Sequence, residues 1–165
     1  MVHVSAAGRL RDAVERATPR LLALSDAAAS TPPAPGKWSP KEVIGHLIDS
    51  ASNNHGRFVR AQFADDLVFA GYEQERWVEM QRYAEAEWAE LVALWRGFNL
   101  HIARLMANTP DDTARAPRAN HNLDKIAFHT VPRDQPATLG YFMADYVDHL
   151  EHHLAQIFPR DTMAP

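Results

Sequence analysis

Between Trp88 and Met106 the apolar residues fall at Trp88, Leu91, Val92, Trp95, Phe98, Ile102, Leu105 and Met106, the three-and-four spacing of one helix face. A stripe of that length has to be buried against other elements, and the surrounding sequence offers chiefly more helices. The run is predicted to begin before Trp77 and to form the longest helix. A second helix opens at Ser39-Pro40-Lys41-Glu42: Ser39 can cap, Pro40 suits the first helical position and Glu42 completes a capping box. It is expected to reach about residue 64. A first helix is expected over residues 5–29, with Thr18-Pro19 as a kink or restart. The last is expected to start near Thr138 and stop before Pro159. Four amphipathic helices make an all-α chain and read as a four-helix bundle. The connection over residues 108–136 is long for a bundle, and Lys125-Ile126-Ala127-Phe128 within it reads as a short strand or turn.

Composition narrows the function. The 165 residues suit a single domain spanning 1–165, and 46% hydrophobic with 23% charged residues is ordinary for a globular protein. A net charge of −4 with no basic stripe gives no reason to expect a nucleic-acid partner. No apolar stretch approaches the roughly 20 residues that cross a bilayer, and no signal peptide is read, so a cytoplasmic protein without a membrane partner is expected. Cysteine is absent, which removes disulfides, thiolate nucleophiles and cysteine zinc sites.

The chemistry concentrates in Asp148-His149-Leu150-Glu151-His152-His153. His149 and His153 lie four residues apart and stack on one face of a helix. At about 100° per residue they flank the apolar side made by Leu139, Phe142, Met143, Tyr146, Leu150 and Ile157, whereas His152 and Asp148 turn away. On the second helix His46, Ser50, Asn53 and Arg57 form a polar stripe beside Val43, Ile44, Leu47, Ala51 and Phe58. Taken alone, His46 reads as a packed core histidine. Together with His149 and His153 it makes a three-nitrogen metal site with open positions, a donor set for Zn, Ni, Cu or Fe. Asp49 reads as an acceptor supporting the metal ligands or, in preference, as solvated. Arg57 could hold an anionic substrate group or, equally, form a salt bridge. Trp77, Trp88 and Trp95 are expected in the core; His121 and His129, in the long connection, could close over a pocket but read in preference as loop polarity. His3, His55 and His101 show no supporting pattern. There is no His-Glu-x-x-His, no paired Glu-x-x-His, no glycine-rich phosphate loop and no nucleophile elbow.

Three ordered blocks resemble the DinB/YfiT-like superfamily of metal-dependent bundles. They are Trp38-Ser39-Pro40-Lys41-Glu42-Val43-Ile44-Gly45-His46-Leu47-Ile48-Asp49-Ser50, then Phe69-Ala70-Gly71-Tyr72-Glu73-Gln74-Glu75-Arg76-Trp77 with Gln81-Arg82-Tyr83, and finally His149 through Ile157. The likeness spans about residues 36–158. It implies an up-down-down-up four-helix bundle, often a homodimer, with His46, His149 and His153 as ligands. Residues 115–136 exceed the family's usual short connection. The resemblance further implies a divalent metal (Zn, Ni or Fe) that activates water or a low-molecular-weight thiol, as in a hydrolase or thiol S-transferase. In a cysteine-free chain the thiol would come from a cofactor, and the small-molecule substrate would lie beside Ser50, Asn53 and Arg57. The alternative is a non-catalytic, stress-associated metal-binding bundle.

Overall fold

The structure, a computed structural model, describes residues 2–159. The chain runs through α1 (Val2–Leu22), α2 (Asp26–Ala29), α3 (Pro40–Arg60), α4 (Gln74–Gln81), a 3-10 turn (Tyr83–Glu85), α5 (Trp88–Asn108), α6 (Asp111–Arg115), α7 (Leu123–Ile126) and α8 (Leu139–Ile157). Among the described residues there is no regular strand. None of these helices is long and apolar enough to cross a membrane.

The four long helices are α1, α3, α5 and α8, and cross-helix contacts fix their directions. Leu21 accepts from Trp88 Nε1 and Glu15 pairs with Arg96, so α1 and α5 are antiparallel. Arg9 reaches Asp148 and Glu151 while Arg20 lies over the Phe158 ring, so α1 and α8 run parallel. Phe58 meets Phe142 and Tyr146 at one end of the α3–α8 pair and His46 meets His149 and His153 towards the other, so these two are antiparallel. The result is up-down-down-up, with α5 and α8 each packed against both α1 and α3.

This order explains the two long connections. Since α3 and α5 are parallel neighbours, the chain must travel back along a helix of about 30 Å before α5 can start. Residues 61–87 make that crossover. Residues 109–138 then cross a bundle end between the diagonal helices α5 and α8. The two connections are sewn together: Leu67 exchanges backbone hydrogen bonds with Asn120 and Asn122, and the Asn122 side chain brackets the backbone of Phe69.

The helix starts follow their sequence signals. Ser39 and Glu42 form the reciprocal capping box, with Pro40 in the first turn, and Thr138 caps α8 through the Tyr141 N–H. Several expectations need correction. Pro19 stays inside α1 without ending it, and the first helix stops at Leu22, with α2 as a separate turn. The second helix stops at Arg60, short of residue 64. The expected longest helix is two, α4 and α5, broken at Arg82, whose φ of 53° is left-handed. Lys125 and Ile126 belong to α7, with no strand there. Trp88 and Trp95 fill the core, but Trp77 on α4 is 38% exposed.

Candidate metal centre

His46 sits in the second turn of α3 and is fully buried. The antiparallel α8 brings His149 and His153 across from it. Ring centroids stand 5.1 Å apart for His46–His149, 4.6 Å for His46–His153 and 4.5 Å for His149–His153. One ring nitrogen from each falls in a group whose members all lie within 4.8 Å of one another. Trp38, just before the helix cap, packs against both His46 and His153. The His46 Nδ1 has no hydrogen-bond partner, so packing orients that ring.

Burial and the neighbouring imidazoles push His46 and His149 down to about 3, and burial lowers His153 as well. All three are therefore neutral near pH 7, the state a metal ligand requires. The donor set fits a metal on geometry too. Nε2 of His46 lies 3.2 Å from Nε2 of His149. Two imidazole nitrogens on one tetrahedral ion, each about 2.0–2.1 Å from it, would be roughly 3.3–3.4 Å apart. His153 Nδ1 stands 3.0 Å from Gln156 Oε1, which accepts its proton and leaves Nε2 with a lone pair.

The low values carry a pH dependence. Above pH 6.5, the ordinary histidine value, folded and unfolded states are equally deprotonated at His46 and His149. As pH falls from 6.5 towards 3 the unfolded chain takes up protons that the folded one refuses, so stability is lost. Metal-free protein is expected to lose on the order of 1 kcal/mol per pH unit for each of the two residues across that window. Differential scanning calorimetry between pH 7 and 4 checks this, and His46→Gln should flatten the slope.

Asp49, three residues beyond His46, is not solvated as expected from sequence. It is 2% exposed and accepts from Tyr83 Oη at 2.7 Å and Gln81 Nε2 at 2.6 Å. Burial raises its carboxyl, and those two hydrogen bonds oppose the rise.

Beside the histidines opens a cavity of about 360 Å³ lined by Ser50, Asn54, Arg57, Tyr72, Lys125, Phe128, Asp145, Tyr146, His149, His152 and His153 among others. Of the expected polar stripe, Ser50 and Arg57 reach it. Asn53 does not line it: its amide donates to the Asp49 carbonyl of its own helix, and Asn54 takes the place in the wall. Among the described residues Arg57 forms no salt bridge. It donates to the Ala70 carbonyl and to Asn54 Oδ1, which ties the crossover to α3.

The long connection supplies the cover that the sequence left open. Phe128 lies against His149 and His152, so His152 faces the cavity after all, though outside the three-nitrogen group. Asp145 holds this cover in place by accepting from the backbone N–H groups of Phe128 and His129 at 2.8 and 2.6 Å. Tyr141 Oη donates to the His129 carbonyl. His129 is thus a fastening, and His121 is buried between Gln135 and Leu123, so neither is plain loop polarity. His3 is buried against Asp111, and His55 and His101 pair at the α3–α5 seam, away from the site. Trp38, Asn54, Tyr72, Phe128 and Asp145 escaped the sequence reading. Only Asn54, at helical spacing from Ser50 and Arg57, carried a usable signal.

Comparisons with known proteins bear on the fold and the family. YfiT of Bacillus subtilis (strain 168), described as a candidate metal-dependent hydrolase, is 24% identical over 149 residues, covering 90% of this chain and 74% of that protein. The solved structure of YfiT, described as a four-helix bundle of unusual topology, superposes with a TM-score of 0.67 at 23% identity, covering 96% of this chain and 81% of that one. At that identity the superposition speaks for the fold. A sequence model of the DinB superfamily matches residues 9–157, from α1 through the last turn of α8 and across all three histidines. The chain belongs to the DinB superfamily.

Proposed function

We propose that this protein is a metal-dependent enzyme in which His46, His149 and His153 hold a divalent ion at the mouth of a small-molecule cavity. One observation carries the reading: three neutral imidazoles converge at the edge of an open cavity, whereas a structural site would be closed on all sides. A divalent ion held there acts as a Lewis acid and makes water or a thiol nucleophilic near neutral pH. The reaction class is therefore hydrolysis or thiol S-transfer, and a thiol has to be a low-molecular-weight cofactor because the chain has no cysteine. The hydrolase name of YfiT supports the first of the two. Ser50, Asn54 and Arg57 line the substrate side, Phe128 limits water, and Asn53 acts at most through the helix backbone.

The test loads purified protein with Zn, Ni or Fe(II) salts. Each form is then assayed on ester and amide substrates and on electrophiles with added thiol. Turnover is expected in one panel, lost in His149→Ala together with the metal, and changed in Ser50→Ala with the metal retained. Tight stoichiometric metal that raises the melting temperature without turnover in either panel would instead support the non-catalytic bundle.

A further inference from the structure

We propose that the cavity carries an oxyanion subsite built on Arg57, so that the substrate is a small molecule bearing a carboxylate or phosphate group remote from its reacting end. The inference rests on the reading above and names the substrate class of that same site.

Arg57 is 4% exposed yet lines the cavity. Among the described residues no carboxylate forms an ion pair with it. Its two hydrogen bonds go to the Ala70 carbonyl, at 2.6 Å, and to Asn54 Oδ1, at 3.3 Å. Both acceptors are neutral. They satisfy two of five N–H groups and cancel none of the charge. A guanidinium buried without a counter-charge is costly, and such a charge is normally paired. Burial lowers its pKa, as expected of a cation that lacks an anion.

A structural duty, pinning residue 70 of the crossover to α3, explains one of those bonds. It does not explain a full charge at the cavity wall, since a glutamine could donate to a carbonyl equally well. The other walls point the same way. Lys125 adds a second cation. Among the described residues the only carboxylate lining the cavity, Asp145, is committed to the backbone of Phe128 and His129. The guanidinium fork matches a carboxylate or phosphate in bidentate fashion.

Position sets the shape of the ligand. Arg57 lies eleven residues beyond His46, about 16 Å along the helix axis. Helical side chains lean towards the N-terminus, which brings the guanidinium back towards the histidines. The anionic group and the reacting group would therefore sit at opposite ends of the cavity.

The experiment keeps anion binding apart from metal binding by using full-length His153→Ala, which lacks the complete ligand set, alongside wild type. Glutarate, its neutral analogue glutaramide and inorganic phosphate are titrated by calorimetry. Glutarate or phosphate is expected to bind His153→Ala, and glutaramide at least tenfold more weakly. Adding Arg57→Gln should weaken the anion by about tenfold to a hundredfold, with Arg57→Lys in between. Glutarate favoured over phosphate assigns a carboxylate substrate, and the reverse assigns a phosphate. If Arg57→Gln does not fold, the Arg57 Nε–H resonance of His153→Ala, assigned against the Arg57→Lys spectrum, should move with the anion and stay put with glutaramide. Equal binding of anion and amide, or anion binding indifferent to Arg57, overturns the subsite while leaving the metal centre standing. Failure of wild type to bind metal overturns the metal centre alone.

Discussion

His149→Ala should cost the protein its metal. Among the described residues, His46, His149 and His153 are the histidines that could hold an ion together, and His149 is the one whose Nε2 sits 3.2 Å from that of His46. Structural zinc sites with four protein ligands bind with on the order of 10–16 kcal/mol, so one imidazole is worth roughly 3 kcal/mol. Metal affinity should therefore fall by at least about a hundredfold. A competition titration against a chromophoric chelator reads the change. The fold should survive, because His149 is only partly buried and its neighbour Leu150 carries the packing of that turn. The metal-dependent rise in melting temperature should disappear with the metal. Unchanged affinity in His149→Ala would mean that the ion sits elsewhere.

The second large effect is structural and arises one residue before His46. Gly45 packs directly under the ring of Tyr83, and a Cβ there would overlap ring carbons. Tyr83 is 7% exposed and its hydroxyl holds the buried carboxylate of Asp49. Gly45→Ala therefore forces the ring aside and leaves Asp49 short of a donor at the same time. Overpacking costs about 1–3 kcal/mol and an unsatisfied buried acceptor about 1–3 kcal/mol more. A loss of roughly 2–6 kcal/mol is expected, on the order of 10 °C in melting temperature. Gly8→Ala on α1 is the control. Gly8 is exposed and, among the described residues, no atom lies within 4 Å of an added Cβ, so the change should be neutral or stabilising. Urea denaturation of the two variants measures the contrast. Equal stability would show that Tyr83 does not pack as described.

These two residues also mark what the sequence could reveal. The helix that carries Gly45 and His46 announced itself through Ser39, Pro40 and Glu42, because a capping box is local chemistry. The facing of His46, His149 and His153 was legible for a similar reason: apolar periodicity fixes which side of each helix is buried. Why Gly45 has to be glycine was not legible. The answer is a tyrosine that arrives 38 positions later, after a left-handed residue at Arg82 has turned the chain. No sequence signal marks Arg82 for that conformation.

The same limit separates Asn53 from Asn54. Both lie near the stripe of His46, Ser50 and Arg57, and the choice between them depends on where the cavity opens. The cavity is walled by Gly71, Tyr72 and Gln74 of the crossover and residues 125–128 of the long connection. Neither segment has a periodicity that would place it. Asp145 has a role only because the backbone of Phe128 and His129, from the long connection, rests on it. Helix faces were therefore readable from spacing, whereas loop placement depended on contacts distant in sequence.

The most direct test of the metal centre is X-ray absorption spectroscopy on protein loaded with one equivalent of zinc or nickel. Three imidazole nitrogens at about 2.0–2.1 Å with at least one further light-atom donor are expected, and one imidazole should be lost from the shell in His153→Ala. A first shell of oxygen donors without histidine, or protein that retains no stoichiometric metal after dialysis, would contradict the assignment of His46, His149 and His153.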